Sequence, residues 1–440
     1  MTISRRTALK ALGLPALVAA TSCASRSNGT VRVAVVWSGD ELAAFRAVLA
    51  EFSRQRQWDV QVLTVGDDIG AALASQVGRR TRPDVVLLPR SGLAISYQAK
   101  LASVAGPPLD AFPPAWRGLV TRAGAGADAD ADLGIWFKAA HKSLVWYRRD
   151  VFERAGVEKP SELAGWVEIN QKLAADGVPP LSVGAADGWV LTDWFENLLL
   201  GRDREVYAGL WAGTEPGLWG EEPVRQALAD LAALWTPMGQ VLPGGANRAL
   251  LMQFQDSIVD VFARGRAAMV AAADFASPVI ARFAGERAGD VGVFRFPGPA
   301  SGERPLVVGG DLAVLLAPPS AGGTALMRWL AGPDAGRIWA GRGGYISLRD
   351  DVDESAYTPW YRAFYTDDLL ADVRHDAGRA PVFDLSDQLT GRLGGGDGLG
   401  SWRVLQDFFA DLGTGATPDI AVSRAVAAFT RAAEARRGSG

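Results

Sequence analysis

Val31-Arg32-Val33-Ala34-Val35-Val36-Trp37 runs directly into Ser38-Gly39-Asp40-Glu41, and this junction decides the fold. The first seven residues form a β-branched run without helical period, which reads as a buried strand. Leu42, Phe45, Val48, Leu49 and Phe52 then recur at helical spacing. Asp40 and Glu41 put negative charge in the first turn, where a helix N-terminus favours it. Residues 58–65 alternate as a second strand, and 68–77 read as a helix. Pro83-Asp84 leads into a third buried strand, Val85-Val86-Leu87-Leu88. Strands alternating with helices predict an α/β domain with a largely parallel sheet.

Working outward, residues 123–132 are an alternating Ala/Gly/Asp tract and read as an exposed loop. Strand-like runs follow at 133–138 and 143–147. From 150 to 263 the pattern is mainly helical, and strand signals return at 267–272, 291–296 and 307–316. Helices then dominate to the end. Two β-rich regions separated by helices predict two lobes, with the chain crossing between them more than once. There is no internal repeat.

Composition narrows the function classes. Cys23 is the single cysteine, so no internal disulfide can form. Ahead of it, Ser4-Arg5-Arg6-Thr7 precedes a short apolar stretch, 11–20, and then Thr21-Ser22. A basic start and an apolar stretch too short to span a bilayer describe a signal peptide over 1–22. The paired arginines resemble a twin-arginine signal. A cysteine at the cleavage point resembles a bacterial lipobox, which makes Cys23 the expected lipidation site. The mature chain is then expected outside the cytoplasmic membrane, anchored to it by lipid alone. Removing Arg5, Arg6 and Lys10 takes the formal net charge from −4 to −7. A mildly acidic body argues against nucleic acid as a partner. His141 and His375 are the two histidines and lie far apart, which disfavours a zinc site. No P-loop, H-E-x-x-H or G-x-S-x-G is present. No metal or cofactor is expected.

Several segments together resemble the extracellular solute-binding proteins of ABC importers, in the sugar-binding group that includes maltose-binding protein. They are Trp37-Ser38-Gly39-Asp40-Glu41-Leu42, Arg82-Pro83-Asp84-Val85-Val86, and Leu144-Val145-Trp146-Tyr147-Arg148, continuing through Phe152 and Ala155-Gly156. Gly188-Trp189, Asp193-Trp194-Phe195-Glu196, Gly309-Gly310-Asp311, Gly343-Gly344-Tyr345 and Phe383-Asp384-Leu385-Ser386-Asp387 extend the likeness over nearly the whole mature chain. The resemblance implies an α/β, two-lobed periplasmic-binding-protein fold of type II. Ligand would be held in the cleft between the lobes, which close by hinge bending. It implies crossings near 138, 271 and 322. Residues 23–30 would then be a linker, 31–138 with 272–322 the first lobe, and 139–271 with 323–440 the second. The protein would be a monomeric, non-catalytic receptor that delivers a carbohydrate to permease subunits.

A sugar site needs aromatic faces for pyranose rings and charged or amide groups for hydroxyls. Asp40 and Glu41 qualify at a strand end, where α/β sheets place ligands, although Asp40 equally suits helix capping. Arg90 lies past the third strand, where it could simply be solvated. Trp189, in an expected loop, is the leading stacking candidate, with Trp211 and Trp219 behind it. Asp193 is a helix-start carboxylate or a hydroxyl acceptor. Asp274 and Phe275 follow the strand at 267–273. Gly310 and Asp311 precede a strand, the glycine permitting close backbone approach or a tight turn. Tyr345 in a Gly-rich turn and Arg403 beside Trp402 complete the set. Two other readings remain open. Arg90, Lys138, Arg148 and Arg403 could gather positive charge for a glycerophosphodiester or another anion. Alternatively, Asp193 with Glu196, or Asp384 with Asp387, could be the carboxylate pair of a secreted carbohydrate-active enzyme.

Overall fold

The computed structural model describes residues 27–66, 69–74, 82–104, 111–118, 132–212, 215–300, 304–364, 373, 382–389, 393 and 400–437. Cys23, residues 1–22, His375 and the tract at 123–131 lie outside the described residues. Among the described residues, no helix is long and apolar enough to cross a membrane.

Two sheets organise the chain. The larger is built from β1 (Thr30–Val35), β2 (Asp59–Thr64), β3 (Val85–Leu88), β4 (Gly134–His141) and β8 (Val307–Leu315), in the order β2-β1-β3-β8-β4. β9 (Val382–Phe383) adds to β8. The smaller has β5 (Leu144–Arg148) between β6 (Met269–Ala271) and β7 (Val291–Arg295). β1 runs parallel to β2 and β3, as the alternating pattern predicts. β8, however, is antiparallel to both β3 and β4, so the sheet is mixed rather than largely parallel. β8 is buried at all nine positions. A strand buried on both faces carries no alternating pattern, and its sequence does not reveal its direction.

The helix Gly39–Arg56 buries Phe45, Val48, Leu49 and Phe52 against the larger sheet. Ser38 has extended backbone ahead of it but makes no side-chain cap bond. β4 and β5 are separated only by Lys142-Ser143, so the chain passes from the large sheet to the small one there. The division of the chain departs from the expected one in two places. β7 pairs with β5 along Val291–Arg295, which keeps the segment after Ala271 with the small sheet; the return to the large sheet comes at β8. The helices Ala321–Leu330 and Pro333–Ala340 pack on β1, β8 and the helix Gly39–Arg56, on the large-sheet side. Their buried apolar stripes fit that sheet. Glycine makes one of these joints possible. An added Cβ at Gly292 would lie inside the Tyr147 ring on the neighbouring strand.

Candidate functional site

The carboxyl ends of β1 and β3 open into a cavity of about 170 Å³, room for on the order of ten waters. Val36, Trp37 and Glu41 line it after β1, and Pro89 and Arg90 after β3. Lys138, Ala140, Lys142, Gly310 and Asp311 come from β4, its exit and β8. Trp189, Phe275, Asp387 and Trp402 close the opposite side.

Lys138 is the pivot of one half. β4 and β8 slip register between Trp136 and Lys138, and such a bulge re-aims the side chains that follow it. Lys138 faces Asp311 across the strands and is 1% exposed. Its ammonium bonds Glu41 and lies 3.7 Å from Asp311. The rings of Trp37, Phe275 and Trp339 surround it at 5.7, 5.0 and 5.3 Å. Burial works against this charge. The carboxylates of Glu41 and Asp311 outweigh it and hold the lysine above its usual value. Burial also pushes the Asp311 carboxyl up to about 6, against the pull of Lys138.

Lys142 anchors the other half. Its ammonium bonds Asp384 and lies 3.3 Å from Asp387 and 3.4 Å from Asp193. Burial opposes the charge here too, and the three carboxylates win, raising the lysine well above its usual value. Burial raises Asp387 to about 7, with the Asp384 charge adding to it. Asp384 itself falls below the usual carboxylate range, because Lys142 overrides its burial. Beneath this group, Glu196 accepts from the backbone N–H groups of Leu385 and Ser386 and from the Tyr207 hydroxyl. These bonds fix the short helix Leu385–Gln388 against the helix Gly188–Arg202.

The aromatic side of the cavity is a packed trio. Trp189 lies 5.0 Å from Phe254 and 6.0 Å from Phe275, ring centre to ring centre. Trp402 stands under the Arg90 guanidinium at 5.6 Å. Its indole N–H is buried and has no hydrogen-bond partner among the described residues.

Of the residues singled out in the sequence, Glu41, Arg90, Trp189, Phe275, Gly310 and Asp311 come together here. Trp189 stands in the first turn of the helix Gly188–Arg202 rather than in a loop. Asp193 lies inside the same helix, behind the cavity wall on Lys142. Gly310 has a packing reason for lacking a side chain, since an added Cβ would collide with the Lys138 carbonyl oxygen. The others stand elsewhere. Asp40 pairs with Arg282 at 2.7 Å. Asp274 is wholly buried and accepts from the His141 N–H at 2.8 Å and the Tyr361 hydroxyl at 3.0 Å. Tyr345 is buried, donates to the Phe137 carbonyl at 2.8 Å and stacks on Trp339. Arg403 points outward to Asp407. Trp211 is 43% exposed, and Trp219 stacks on Phe429 in the core; neither lines the cavity.

The sequence reading of binding residues passed over Trp37 and Lys142, counted Lys138 only toward an anion site, and used Asp387 only as half of a catalytic pair. A signal existed for the lysines: Lys138 interrupts the apolar run Ile135-Trp136-Phe137-Lys138-Ala139-Ala140, and Lys142 stands between two strands that are otherwise mostly apolar. A lysine inside a buried strand must find carboxylates.

A family model described as "Bacterial extracellular solute-binding protein" matches residues 37–337, more than half of the chain. This chain belongs to that family. Among relatives of this solute-binding protein is the osmoprotective compounds-binding protein GgtB of Synechocystis sp. The two are 27% identical over 89% of this chain and 93% of the relative. The alpha-glucosides-binding periplasmic protein AglE of Rhizobium meliloti is 25% identical over 84% of this chain and 81% of its own. The solved structure of a chitin oligosaccharide binding protein superposes with a TM-score of 0.71. It covers 92% of this chain and 99% of that one at 16% identity. The solute-binding protein thus has the two-lobed α/β fold, and the cavity lies between the larger sheet and the segments that carry Trp189, Phe275, Asp387 and Trp402.

Proposed function

We propose that this solute-binding protein captures a neutral, hydroxyl-rich solute, a di- or oligosaccharide or a glycoside, and hands it to the permease subunits of an ABC importer. One observation carries the reading: every lysine lining the cavity is already matched by carboxylates, among aromatic rings. Lys138 faces Glu41 and Asp311, and Lys142 faces Asp193, Asp384 and Asp387. Such pairs present hydrogen-bond donors and acceptors without net positive charge. Hydroxyl groups can use both, while the rings of Trp37, Trp189, Phe275 and Trp402 suit the apolar faces of a pyranose. Micromolar capture requires about 8 kcal/mol. Charge-assisted hydrogen bonds contribute roughly 1.5–3 kcal/mol each, so three or four with one stacked ring suffice. The alpha-glucosides bound by its relative AglE support a solute of this kind.

The anion reading loses its basis in the same geometry. Of its four cations, Arg148 is bound to Asp150, Arg403 to Asp407 and Lys138 is compensated, which leaves Arg90 on the cavity wall, where its charge acts on Asp387. The enzyme reading also weakens, because Glu196 and Asp384 are committed to backbone and lysine partners. We read the chain as a non-catalytic monomer. Its first lobe is built on the large sheet, from 31–141 and 307–340, and its second on the small sheet, from 144–296 and 400–437. Export and lipidation at Cys23 rest on residues 1–23 and place the receptor at the outer membrane face. Calorimetric titration with neutral di- and oligosaccharides tests the reading: one or more should saturate with micromolar affinity, and silence across a broad panel would sink it.

A further inference from the structure

The two lobes also meet through a pair that touches nothing in the cavity. Asp40 lies in the first turn of the helix Gly39–Arg56, which packs on the large sheet. Arg282 lies in the last turn of the helix Ser277–Ala284. That helix packs on Phe254–Phe262 and leads towards β7, on the small-sheet side. Arg282 Nη1 is 2.7 Å from Asp40 Oδ1, and the two side chains are 53% and 32% exposed. Beside them an added Cβ on Gly39 would stand 3.7 Å from the side-chain amide of Gln255, which lies on the neighbouring helix Phe254–Phe262. Neither Asp40 nor Arg282 lines the cavity, whereas Glu41, the next residue, does. Each charge sits at the helix end that favours it, carboxylate at an N-terminus and guanidinium at a C-terminus. Each is therefore held in place by its own helix.

We propose that Asp40 and Arg282 form a clasp across the cleft mouth, which sets how long a solute is retained and takes no part in recognising it. The clasp rests on the two-lobed closing cleft but not on the identity of the solute. Breaking it shifts the balance towards the open form and speeds release, leaving the bonds to the solute unchanged. An exposed pair of this kind supports a two- to five-fold change in the closed-to-open ratio. Salt weakens it, because both groups are solvated.

The test needs no solute. Nitroxide labels on Gln55→Cys and Gln171→Cys, in the full-length chain carrying Cys23→Ser, report the distance between lobes by pulsed electron resonance. Arg282→Ala and Asp40→Asn should each raise the long-distance population two- to five-fold. The reversed pair, Asp40→Arg with Arg282→Asp, should restore the native distribution. Raising NaCl to 0.5 M should open the native protein and leave the single variants unchanged. Single variants that match the native distribution would overturn the clasp, as would a reversed pair that stays as open as they are. A chain that binds no saccharide would still give this readout, so the two proposals fail separately.

Discussion

Replacing Lys142 with methionine keeps the volume of the side chain and removes the one ammonium bonded to Asp384. The Asp384 side chain is fully buried, and Lys142, 9% exposed, is its counter-ion. After the change, Asp384 keeps two donors, the Ser386 hydroxyl and the Asp387 N–H, both at 2.8 Å. It loses its compensating charge, with Asp387 and Asp193 close by. Breaking a buried pair by removing one partner costs about 3–5 kcal/mol. Lys142→Met should therefore lose about that much stability at pH 7.5, measured by urea unfolding. The pH dependence carries the sharper test. Asp384 is depressed in the native protein, so its contribution is present above the unfolded value and lost as pH falls through the depressed one. In the variant the same carboxyl rises and takes a proton instead. Each pH unit below its new value recovers about 1.4 kcal/mol. The gap between variant and native should thus shrink to about 1 kcal/mol by pH 4.5. A gap below about 1 kcal/mol at pH 7.5, or one that stays constant with pH, would refute the assignment of Lys142 as the neutralising centre.

Three further outcomes are expected. Trp189→Ala removes a ring that contributes about 1.5–3 kcal/mol to a stacked sugar, so calorimetry should show saccharide affinity falling about 10- to 100-fold. Burial raises Asp274 to about 6, so its contribution is full below the unfolded value and lost as pH rises through 6. Asp274→Asn should accordingly flatten the fall in native stability between pH 4.5 and 7, worth on the order of 2–3 kcal/mol in thermal or urea unfolding. Gly310→Ala forces a methyl against the Lys138 carbonyl and the Trp116 ring and should cost about 1–3 kcal/mol, seen as a lower unfolding midpoint.

Much of the scaffold was legible because strands and helices leave short-range periods. The runs at 31–37, 85–88, 291–296 and 307–316 are β1, β3, β7 and β8 within a residue or two. Which sheet a strand joins was not legible. β7 follows β6 in sequence, and nothing local to 291–295 shows that it pairs with β5 rather than joining the larger sheet. Strand ends were equally informative about the cavity: Glu41 and Arg90 follow the carboxyl ends of parallel strands, and chain order alone marks such positions. The ion networks were invisible for a different reason. Lys138 and Glu41 are 97 residues apart, and Lys142 and Asp384 are 242 apart. A single sequence does not encode which distant carboxylate meets which lysine. Asp40 and Tyr345 show the converse. Each suits a ligand by residue type and position, yet one pairs with Arg282 and the other hydrogen-bonds the Phe137 carbonyl.

The most direct test of the cleft as a saccharide site follows the indole N–H resonances of the tryptophans during titration with a neutral oligosaccharide, assigned by single Trp→Phe changes. Trp37, Trp189 and Trp402 should shift together and saturably, Trp402 most strongly because its N–H has no partner among the described residues, while Trp211 and Trp219 stay fixed. Saturable shifts confined to Trp211 and Trp219, or an unchanged spectrum across the saccharide panel, would contradict it.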